Sequence, residues 1–424
     1  MLLQYLIEKI DEKEITGNTD VEINKIEYDS KKIVKNDVFV AINGYKENGT
    51  EYISEAIEKG AVAIVAQRDE DISSFVSSSI TIIRVENIRK ALAIMAIAYY
   101  DNPASKLNMI GITGTKGKTT TSYMTRDILL ASGKKTGMIG TIYNTYGDVS
   151  IESSRTSPES LDLQKLLRDM VDAGIEYVVM EVSSHALELY RVYGITFKIG
   201  VFTNLAPEHL DFHKTMENYL DAKMKLFDMS EYALINGDDI YAPKIIKRLK
   251  TKYATYGLDN AVNITATDIR VNSSNVQFKM YVNKMLETLL VKIPGKFTVY
   301  NALAAIGITS FLNCQMDAII LALANVVVPG RCETVETGKN FSVIIDYAHN
   351  PSSMEAILTS IKKFAKGRII TVFGCGGNRD TSKREEMGKI SGKYSDFTVI
   401  TNDNPRDEDP KKILTQIEDG IKTT

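Results

Sequence analysis

Residues 113–121 read Thr-Gly-Thr-Lys-Gly-Lys-Thr-Thr-Thr and directly follow the apolar run Met109-Ile110-Gly111-Ile112. The pattern predicts a short strand, a glycine-containing loop and a helix over Lys118–Ser132. Such a loop directs unpaired backbone N–H groups and the positive end of a helix dipole at one point, which favours phosphate. We therefore predict a nucleotide-binding loop made of Gly114, Thr115, Lys116, Gly117, Lys118, Thr119 and Thr120.

The loop departs from the usual spacing of phosphate-binding loops. A GxxxxGK pattern requires glycine at position 112, where this chain has Ile112, and Gly111 lies one position too early. In such loops the lysine reaches the terminal phosphates and the next hydroxyl binds Mg²⁺, roles that fall here to Lys118 and Thr119. From the loop alone, a glycine turn with only a structural role remains the alternative.

The composition disfavours several classes of function. The 424 residues suffice for roughly two to four domains of about 100–200 residues each. A formal net charge of −3 gives no signature of a nucleic-acid partner. The three scattered cysteines form neither a metal-binding spacing nor a disulfide framework. The start of the chain does not resemble a signal peptide, and no apolar run approaches the roughly 18 residues of a membrane span. We expect a cytoplasmic protein without a membrane partner.

Strand and helix patterns alternate after the loop, which predicts an α/β fold with a mostly parallel sheet. Ligands bind beyond the carboxyl ends of the strands in such sheets. Asn102-Pro103 and Val328-Pro329-Gly330-Arg331 interrupt the alternation. We therefore predict three domains, over residues 1–100, 101–330 and 331–424, of which the last is Rossmann-like and shorter than a complete doubly wound domain.

All four histidines of the chain lie in polar clusters at predicted strand ends; they are His185, His209, His213 and His349. Glu181 ends a predicted strand and offers a hard oxygen donor suited to Mg²⁺, with a Lys or Arg ion pair as the alternative. His209 lies in a segment with two histidines and two carboxylates within six residues. No cysteine is near, so Mg²⁺ fits better than structural zinc. For His213, a helix cap or a surface position is the alternative.

Three basic residues are ambiguous from spacing alone. Lys223 shares a helix face with Phe227, which is also typical of a lysine that extends along an apolar surface to solvent. Arg379 and Arg406 follow predicted strands of the third domain and could each bind a carboxylate with two hydrogen bonds. A plain surface position is the alternative for both arginines.

The order of these segments resembles the Mur ligases of peptidoglycan synthesis, over essentially the whole chain. The resemblance is greatest to the branch that adds the third residue of the stem peptide. The markers are Asp29-Ser30, Asn48-Gly49-Thr50, the loop at 113–120, Thr156-Ser157-Pro158, Glu181-Val182-Ser183-Ser184-His185, Phe202-Thr203-Asn204-Leu205, Glu208-His209-Leu210-Asp211-Phe212-His213, Gly330-Arg331, Asp346-Tyr347-Ala348-His349 and Asp403-Asn404-Pro405-Arg406.

The resemblance implies three domains that bind a UDP-sugar, ATP and an amino acid. It implies an amide-forming acid–amino-acid ligase that uses ATP and Mg²⁺ and passes through an acyl phosphate. In this family Asp-Asn-Pro-Arg is the pattern of meso-diaminopimelate enzymes, because Arg406 can pair with the carboxylate that lysine lacks. The expected substrates are UDP-MurNAc-L-Ala-D-Glu and meso-diaminopimelate, and we expect a monomer.

The resemblance also implies roles for individual residues. The implied catalytic residues are Lys118, Lys223 and His209. The implied metal ligands are Thr119, Glu181, His209 and, as a carbamate, Lys223. Besides the loop, the implied ATP contacts are Asn301, Arg331, Asp346 and His349. The implied UDP-substrate contacts are Ser30, Thr156, Ser157, Ser183 and Arg191. The implied amino-acid contacts are Arg379, Asp403, Asn404 and Arg406.

The chain departs from the family pattern at several positions. Lys116 replaces the usual Asn, and Glu208 replaces an Asp. The Gly-Lys-Gly-His-Glu segment that the family carries near its C terminus does not occur in these 424 residues, so we expect a truncated third domain. An L-lysine-adding ligase and a catalytically inactive binding protein are the alternatives. Folylpolyglutamate synthetase is disfavoured, because that enzyme starts near its phosphate loop.

Overall fold

The computed structural model describes residues 1–44, 48–75, 80–272, 274–282, 285–335 and 337–424. The chain forms two compact units. The first comprises residues 1–264 and 304–315, and the second comprises residues 265–303 and 316–424. Every helix in the described part of the chain is too short or too polar to cross a membrane.

The first unit begins with a five-stranded sheet in the order β1-β5-β4-β3-β2. Its strands are β1 (Lys13–Thr16), β2 (Ile26–Glu27), β3 (Val38–Val40), β4 (Ala63–Gln67) and β5 (Thr81–Val85). Only the β1–β5 pair is antiparallel. Apolar side chains of the sheet form one core with the helices α1 (Leu3–Ile7), α2 (Ile53–Glu58) and α3 (Ile88–Tyr99).

A nine-stranded sheet follows in the same unit, in the order β14-β13-β12-β11-β6-β10-β7-β8-β9. Its strands are β6 (Asn108–Thr113), β7 (Thr136–Ile139), β8 (Tyr143–Tyr146), β9 (Val149–Glu152), β10 (Tyr177–Glu181), β11 (Ile199–Phe202), β12 (Tyr232–Asn236), β13 (Lys252–Gly257) and β14 (Ile264–Thr265). The strands from β13 to β7 pair in parallel, whereas β7, β8 and β9 pair antiparallel. The expected α/β fold with a mostly parallel central sheet is confirmed.

Helices cover this sheet, and several of them begin in or directly after the polar segments that the sequence singles out. They are α4 (Lys118–Ala131), α5 (Ser160–Asp172), α6 (Ser184–Glu188), α7 (Leu210–His213), α8 (Met216–Asp228) and α9 (Ala242–Arg248). Helix α10 (Lys296–Phe311) contributes residues to both units. Thr215 caps the start of α8, because its hydroxyl accepts the Asn218 N–H at 3.1 Å.

The second unit contains an antiparallel sheet, two strand pairs and four helices. The sheet is β15 (Thr267–Val271), β16 (Val276–Val282) and β17 (Met285–Val291). The antiparallel pair is β18 (Glu333–Val335) with β19 (Val343–Ile345), and the parallel pair is β20 (Ile370–Phe373) with β21 (Phe397–Ile400). The helices are α11 (Met316–Asn325), α12 (Pro351–Lys362), α13 (Ser382–Tyr394) and α14 (Pro410–Ile421). The last three helices share a core with one face of the β20–β21 pair.

Candidate active site

The loop at 114–117 connects β6 to α4 and needs its glycines. Gly114 and Gly117 have φ of 149° and 85°, backbone conformations that other residues rarely adopt. A side chain on Gly114 would also collide with the Thr203 hydroxyl. The Lys118 amine donates to the carbonyls of Gly114 at 2.8 Å and Thr115 at 3.0 Å. The first turn of α4 and its lysine therefore lie against the backbone of the loop.

Residues after β11 hold the loop from the other side. The side chain of Asn204 accepts the Lys116 N–H at 2.9 Å and donates to the Lys116 carbonyl at 2.9 Å. The Thr203 hydroxyl donates to the same carbonyl at 2.6 Å. These bonds satisfy the backbone of the loop on both sides of Lys116 and fix its shape before any ligand binds.

The two residues that depart from the family pattern contact each other. The Lys116 amine lies 2.9 Å from Glu208 Oε1, and the Glu208 side chain is 19% exposed. Burial works to raise the pKa of the Glu208 carboxyl, but the charge and hydrogen bond of Lys116 bring it below the usual value. The extra positive charge of Lys116 is therefore compensated within the protein.

Glu181, at the end of β10, is buried among hydrogen-bond donors. Its Oε2 accepts the Thr119 hydroxyl at 2.9 Å and the Thr141 hydroxyl at 3.0 Å, and its Oε1 accepts the Thr141 N–H at 2.9 Å. Its side chain forms no ion pair within the described ranges, so the alternative of a Lys or Arg partner is wrong. The strand end thus presents an oxygen-rich pocket beside the first turn of α4.

Tyr219 of α8 joins the phosphate loop to the histidines. Its hydroxyl lies 3.3 Å from the Thr115 hydroxyl. Its ring centroid lies 6.2 Å from that of His209 and 4.9 Å from that of His213. The amine of Lys223 lies 4.4 Å from the centroid of the same ring. One buried aromatic ring therefore contacts the implied metal ligands His209 and Lys223 and the loop.

The histidines of this unit form a packed group. His185 has ring centroids 4.9 Å from His209 and 5.5 Å from His213, and it stacks on Phe212 at 4.4 Å. Burial and the neighbouring histidines lower the pKa of His185 to about 4. His213 is buried, and its Nε2 lies 2.9 Å from the Ser184 hydroxyl, so the surface alternative for His213 is wrong.

Lys223 does not extend to solvent, contrary to the interpretation from spacing alone. Its side chain is 1% exposed, and the amine has no hydrogen-bond partner among the described residues. Burial, followed by the charge of Lys118, lowers the pKa of Lys223 well below its usual value. Compared with an exposed lysine, the shift favours the neutral amine, which is the form that reacts as a nucleophile.

Four of the implied UDP-substrate contacts lie together beyond β10. The Ser157 hydroxyl donates to the Glu181 carbonyl at 2.9 Å and accepts the Ser183 N–H at 3.1 Å. Arg191 donates to the Ser157 carbonyl at 3.2 Å. Thr156 approaches Glu181 through Thr141, whose hydroxyl lies 3.1 Å from that of Thr156. The fifth implied UDP-substrate contact is Ser30, whose hydroxyl donates to Glu55 Oε2 at 2.6 Å in the part of the chain that forms the five-stranded sheet.

Glu159 forms ion pairs with three arginines, one of which is the implied substrate contact Arg191. Its carboxylate lies 2.8 Å from Arg191, 2.5 Å from Arg155 and 3.3 Å from Arg89 of α3. Its side chain is 10% exposed. One carboxylate therefore faces three guanidinium groups, and the excess positive charge suits an anionic ligand.

The implied nucleotide contacts of the second unit lie on three segments. Asp346 follows β19 and accepts the Cys332 N–H at 2.9 Å. The Arg331 guanidinium lies 4.7 Å from the centroid of the Tyr347 ring, and His349 is edge-on to that ring at 5.1 Å. Asn301 is buried on α10. Arg331, Asp346 and His349 therefore lie close together, because the first and the last contact the Tyr347 ring and Asp346 bonds to the residue after Arg331.

Two loops of the second unit carry the implied amino-acid contacts, one after each strand of the β20–β21 pair. Arg406 donates to the Gly377 carbonyl at 2.8 Å, and Gly377 donates to the Asn404 carbonyl at 2.9 Å. Arg379 and Asp403 are exposed. The structure thus brings Asn404 and Arg406 against the glycine-containing loop and leaves Arg379 and Asp403 at its surface.

The pocket around Glu181 fits a magnesium ion by its donor chemistry. A buried carboxylate and two hydroxyls are hard oxygen donors, which Mg²⁺ prefers. No three His, Cys, Asp or Glu side chains converge on one point among the described residues. That sparse set is typical of Mg²⁺, which binds through one or two carboxylates together with substrate phosphates and water.

Sequence reasoning missed four residues that organise this site: Thr141, Glu159, Asn204 and Tyr219. Asn204 stands within one of the recognised segments, so its position after β11 could have suggested a contact with the loop. Glu159 follows Thr156-Ser157-Pro158 directly. Thr141 and Tyr219 carry no signal of their own, because only the folding of the chain brings them to Glu181 and His209.

Comparison with family models gives three matches along the chain. Residues 22–100 match the Mur ligase family catalytic domain, residues 112–309 the Mur ligase middle domain, and residues 330–424 the Mur ligase glutamate ligase domain.

Individual proteins give the same result. The chain is 47% identical to UDP-N-acetylmuramoyl-L-alanyl-D-glutamate–2,6-diaminopimelate ligase of Clostridium perfringens, over 98% of this chain and 87% of that protein. A solved structure of a ligase with that name has 26% identity and a TM-score of 0.73, over 99% of this chain and 86% of that one. The Thermotoga maritima MurF ligase in complex with ADP has 22% identity and a TM-score of 0.63, over 90% of this chain and 84% of that one, and shares the fold.

Proposed function

The chain belongs to the Mur ligase family, and on this premise we propose that it joins meso-diaminopimelate to UDP-MurNAc-L-Ala-D-Glu at the expense of ATP. The single observation that carries the substrate assignment is the 47% identity, over almost the whole chain, to a ligase named for those substrates. The phosphate loop, with its glycines, Lys118 and Thr119, supports the use of ATP.

The reaction forms one amide bond in two transfers. A carboxylate oxygen of the UDP-linked D-Glu attacks the γ-phosphorus of ATP, and ADP leaves. The amine of meso-diaminopimelate then attacks the acyl carbon, the C–O bond to phosphate breaks, and the amine loses a proton as inorganic phosphate departs. Both transfers depend on fixed positions and on compensation of phosphate charge more than on covalent help from the protein.

In the first transfer, residues of the first unit bind and orient the reactants. The backbone N–H groups at the start of α4 and the Lys118 amine bind the terminal phosphates of ATP. Thr156, Ser157, Ser183 and Arg191 bind the UDP-muramoyl dipeptide, and Arg191 supplies positive charge for its carboxylate. Ser30 contributes from the first sheet region. Asn301, Arg331, Asp346 and His349 are further nucleotide contacts in this proposal.

Magnesium would be held by Thr119, Glu181, His209 and Lys223, the last as a carbamate. A bound Mg²⁺ compensates the negative charge of the phosphates during transfer. The neutral amine of Lys223 suits carbamate formation, because its lone pair attacks CO₂ and one proton is released. The product replaces a buried amine with two oxygen donors. His209 and Lys223 contact the same Tyr219 ring, so His209 lies against the face of α8 that carries Lys223.

The loops after β20 and β21 determine the choice of amino acid. Arg406, with Arg379, Asp403 and Asn404, binds meso-diaminopimelate, whose second carboxylate can pair with the guanidinium of Arg406. L-lysine has no such carboxylate and leaves Arg406 without that partner. L-lysine addition is the second candidate function, and the Asp403-Asn404-Pro405-Arg406 segment disfavours it.

The proposal also covers the domain limits, the cellular location and the oligomeric state. Residues 1–100 bind the UDP-substrate, 101–330 bind ATP, and 331–424 bind the amino acid, and the ranges of the three family models support this division. The protein works as a cytoplasmic monomer without a nucleic-acid partner.

Release of ADP tests the function. The protein should release ADP from ATP only when UDP-MurNAc-L-Ala-D-Glu and meso-diaminopimelate are both present. Equal or faster turnover with L-lysine would contradict the substrate assignment. Binding of ATP and UDP-substrate without ADP release under any amino acid would indicate an inactive binding protein.

A further inference from the structure

Arg384 is buried below the two loops that carry the amino-acid contacts. It lies in the first turn of α13, and its side chain is 0% exposed. Nη1 donates to Glu408 Oε2 at 2.8 Å, and Nη2 donates to Glu408 Oε1 at 2.9 Å. A buried guanidinium needs a partner for its charge, and this two-bond pair supplies one, although Nε has no hydrogen-bond partner among the described residues.

The same side chain reaches two further elements. Nη1 also donates to Gln416 Oε1 of α14 at 2.7 Å, and Nη2 donates to the Gly376 carbonyl at 3.3 Å. We call residues 374–380 the glycine loop and residues 403–409 the Arg406 loop. Arg384 thus connects a helix, the glycine loop and, through Glu408, the Arg406 loop.

Glu408 makes a second connection between the loops. Its Oε1 accepts the Asn378 N–H at 2.5 Å while it pairs with Arg384. The hydrogen bond from Arg384, followed by that from Asn378, lowers the pKa of Glu408 to about 2. The carboxylate therefore stays charged at every pH at which the protein would work, and it holds the glycine loop by its backbone.

The loops also bond directly to each other. Gly377 donates to the Asn404 carbonyl at 2.9 Å, and Arg406 Nη1 donates to the Gly377 carbonyl at 2.8 Å. A side chain at Gly377 would collide with the Pro405 carbonyl, so the two backbones approach as closely as glycine permits. A shift of one loop therefore shifts the other.

Arg406 occupies a backbone conformation that needs support. Its φ is 49°, a left-handed value that is unfavourable for residues other than glycine and persists only where the surroundings enforce it. Across the described residues its guanidinium forms no ion pair, although it donates to Gly377. It is therefore held in place by one bond and keeps its charge for a ligand.

We propose that Arg384 and Glu408 are positioning residues that fix Arg406 and the glycine loop for the carboxylate groups of the amino-acid substrate. The inference rests on the proposed function, since it gives these loops the amino acid as their ligand. Neither residue touches the substrate. They act through the Asn378 N–H, the Gly376 carbonyl and the bonds that join the loops.

A merely structural role for the pair makes a different prediction. Loss of a buried ion pair that only stabilises the fold lowers the unfolding temperature and leaves the KM of the folded fraction unchanged for every substrate. Loss of a positioning pair raises the KM for the amino acid alone. The two roles therefore separate in the pattern of KM values.

The test uses Glu408→Gln in the full chain, because glutamine keeps the size of the side chain and an acceptor for Asn378. The matched control is Glu418→Gln on α14, whose exposed carboxylate pairs only with a lysine of its own helix within the described residues. We expect the KM for meso-diaminopimelate to rise about 10- to 100-fold in Glu408→Gln. The KM values for ATP and UDP-substrate, and all values of the control, should stay within about twofold.

Amide hydrogen exchange gives a readout that does not need activity. Exchange at Gly377 and Asn378 should accelerate in Glu408→Gln and in Arg384→Lys, while the amides of β20 and β21 keep their protection. Arg384→Lys retains the charge but not the two-bond geometry, so this variant should also have a raised KM for meso-diaminopimelate.

The outcomes are separable. Unchanged exchange at both amides, or an equal rise of all three KM values, would overturn the positioning role. Loss of protection throughout the second unit would also overturn it, because the pair would then be a general stabiliser. A wild-type protein that releases no ADP with meso-diaminopimelate would refute the proposed function instead, and the exchange result would still decide whether the pair orders the loops.

Discussion

Replacement of Lys223 by methionine should stabilise the protein and abolish its activity. The Lys223 residue is 1% exposed, and its amine contacts the Tyr219 ring rather than a hydrogen-bond acceptor among the described residues. Burial of a polar group without a hydrogen bond costs about 1–3 kcal/mol in proteins. Methionine has a similar length and no polar group to desolvate, so Lys223→Met should recover about that much free energy of unfolding.

The gain in free energy of unfolding from Lys223→Met should depend on pH in a defined direction. The pKa of Lys223 is lower in the folded protein than in the unfolded chain, so the unfolded state binds more protons at pH values between the two pKa values. The stability of the wild type therefore rises with pH until the unfolded lysine also loses its proton, near pH 10.4. The advantage of Lys223→Met should be largest below the folded pKa of the lysine and should shrink as the pH rises towards the unfolded value.

Calorimetry in CO₂-depleted buffer measures the effect, because the amine then carries no carbamate. The transition of the first unit should move upward by about 2–4 °C for each kcal/mol. Lys225→Met on the same helix is the control, since the Lys225 amine is exposed and pairs with Glu188, so its effect should stay within about 0.5 kcal/mol. A variant no more stable than the wild type, or a gain independent of pH, would refute the desolvation cost and the lowered pKa of Lys223. Normal ADP release by Lys223→Met would remove the carbamate role.

Three other substitutions test separate parts of the site. Lys116→Asn should leave the rate of ADP release unchanged or raise it, because Glu208 already compensates the lysine; a large loss would show that Lys116 binds phosphate. Glu159→Gln should raise the KM for UDP-substrate roughly tenfold, since hydrogen bonds to charged groups contribute about 1.5–3 kcal/mol and Arg191 would lose one; an unchanged KM would exclude Glu159 from orienting Arg191. Arg406→Lys should raise the KM for meso-diaminopimelate and leave that for ATP unchanged; an equal rise of both would place Arg406 outside the amino-acid site.

Local patterns in the sequence predicted the parts of the fold that are locally determined. The strand, loop and helix around Lys118 appear within one residue of the expected bounds, because glycine at 114 and 117 permits the turn and α4 begins directly after it. The strand pair β8–β9 and the three-stranded sheet β15-β16-β17 were not predicted. β9 is exposed along its whole length, so it lacks the alternation of apolar and polar residues that marks a strand.

The residues of the candidate site also differ in whether a local sequence pattern could identify them. Segments that place several polar residues at one strand end, such as Glu181–His185 and Glu208–His213, could be found from sequence. Lys223 was misjudged by spacing, because α8 buries residues on nearly every side, including Tyr219, Ala222 and Met224 around the lysine. Tyr219 and Thr141 could not be predicted, since their roles depend on contacts with residues far away in the chain.

The most direct test of the proposed ligase activity is a competition between the two amino acids. The protein would be incubated with ATP, Mg²⁺, UDP-MurNAc-L-Ala-D-Glu and equal concentrations of meso-diaminopimelate and L-lysine, and the UDP-linked products identified by mass spectrometry. The account predicts the diaminopimelate-containing tripeptide, formed together with an equal amount of ADP and phosphate. A lysine-containing product as the main species, or no tripeptide of either kind, would contradict it.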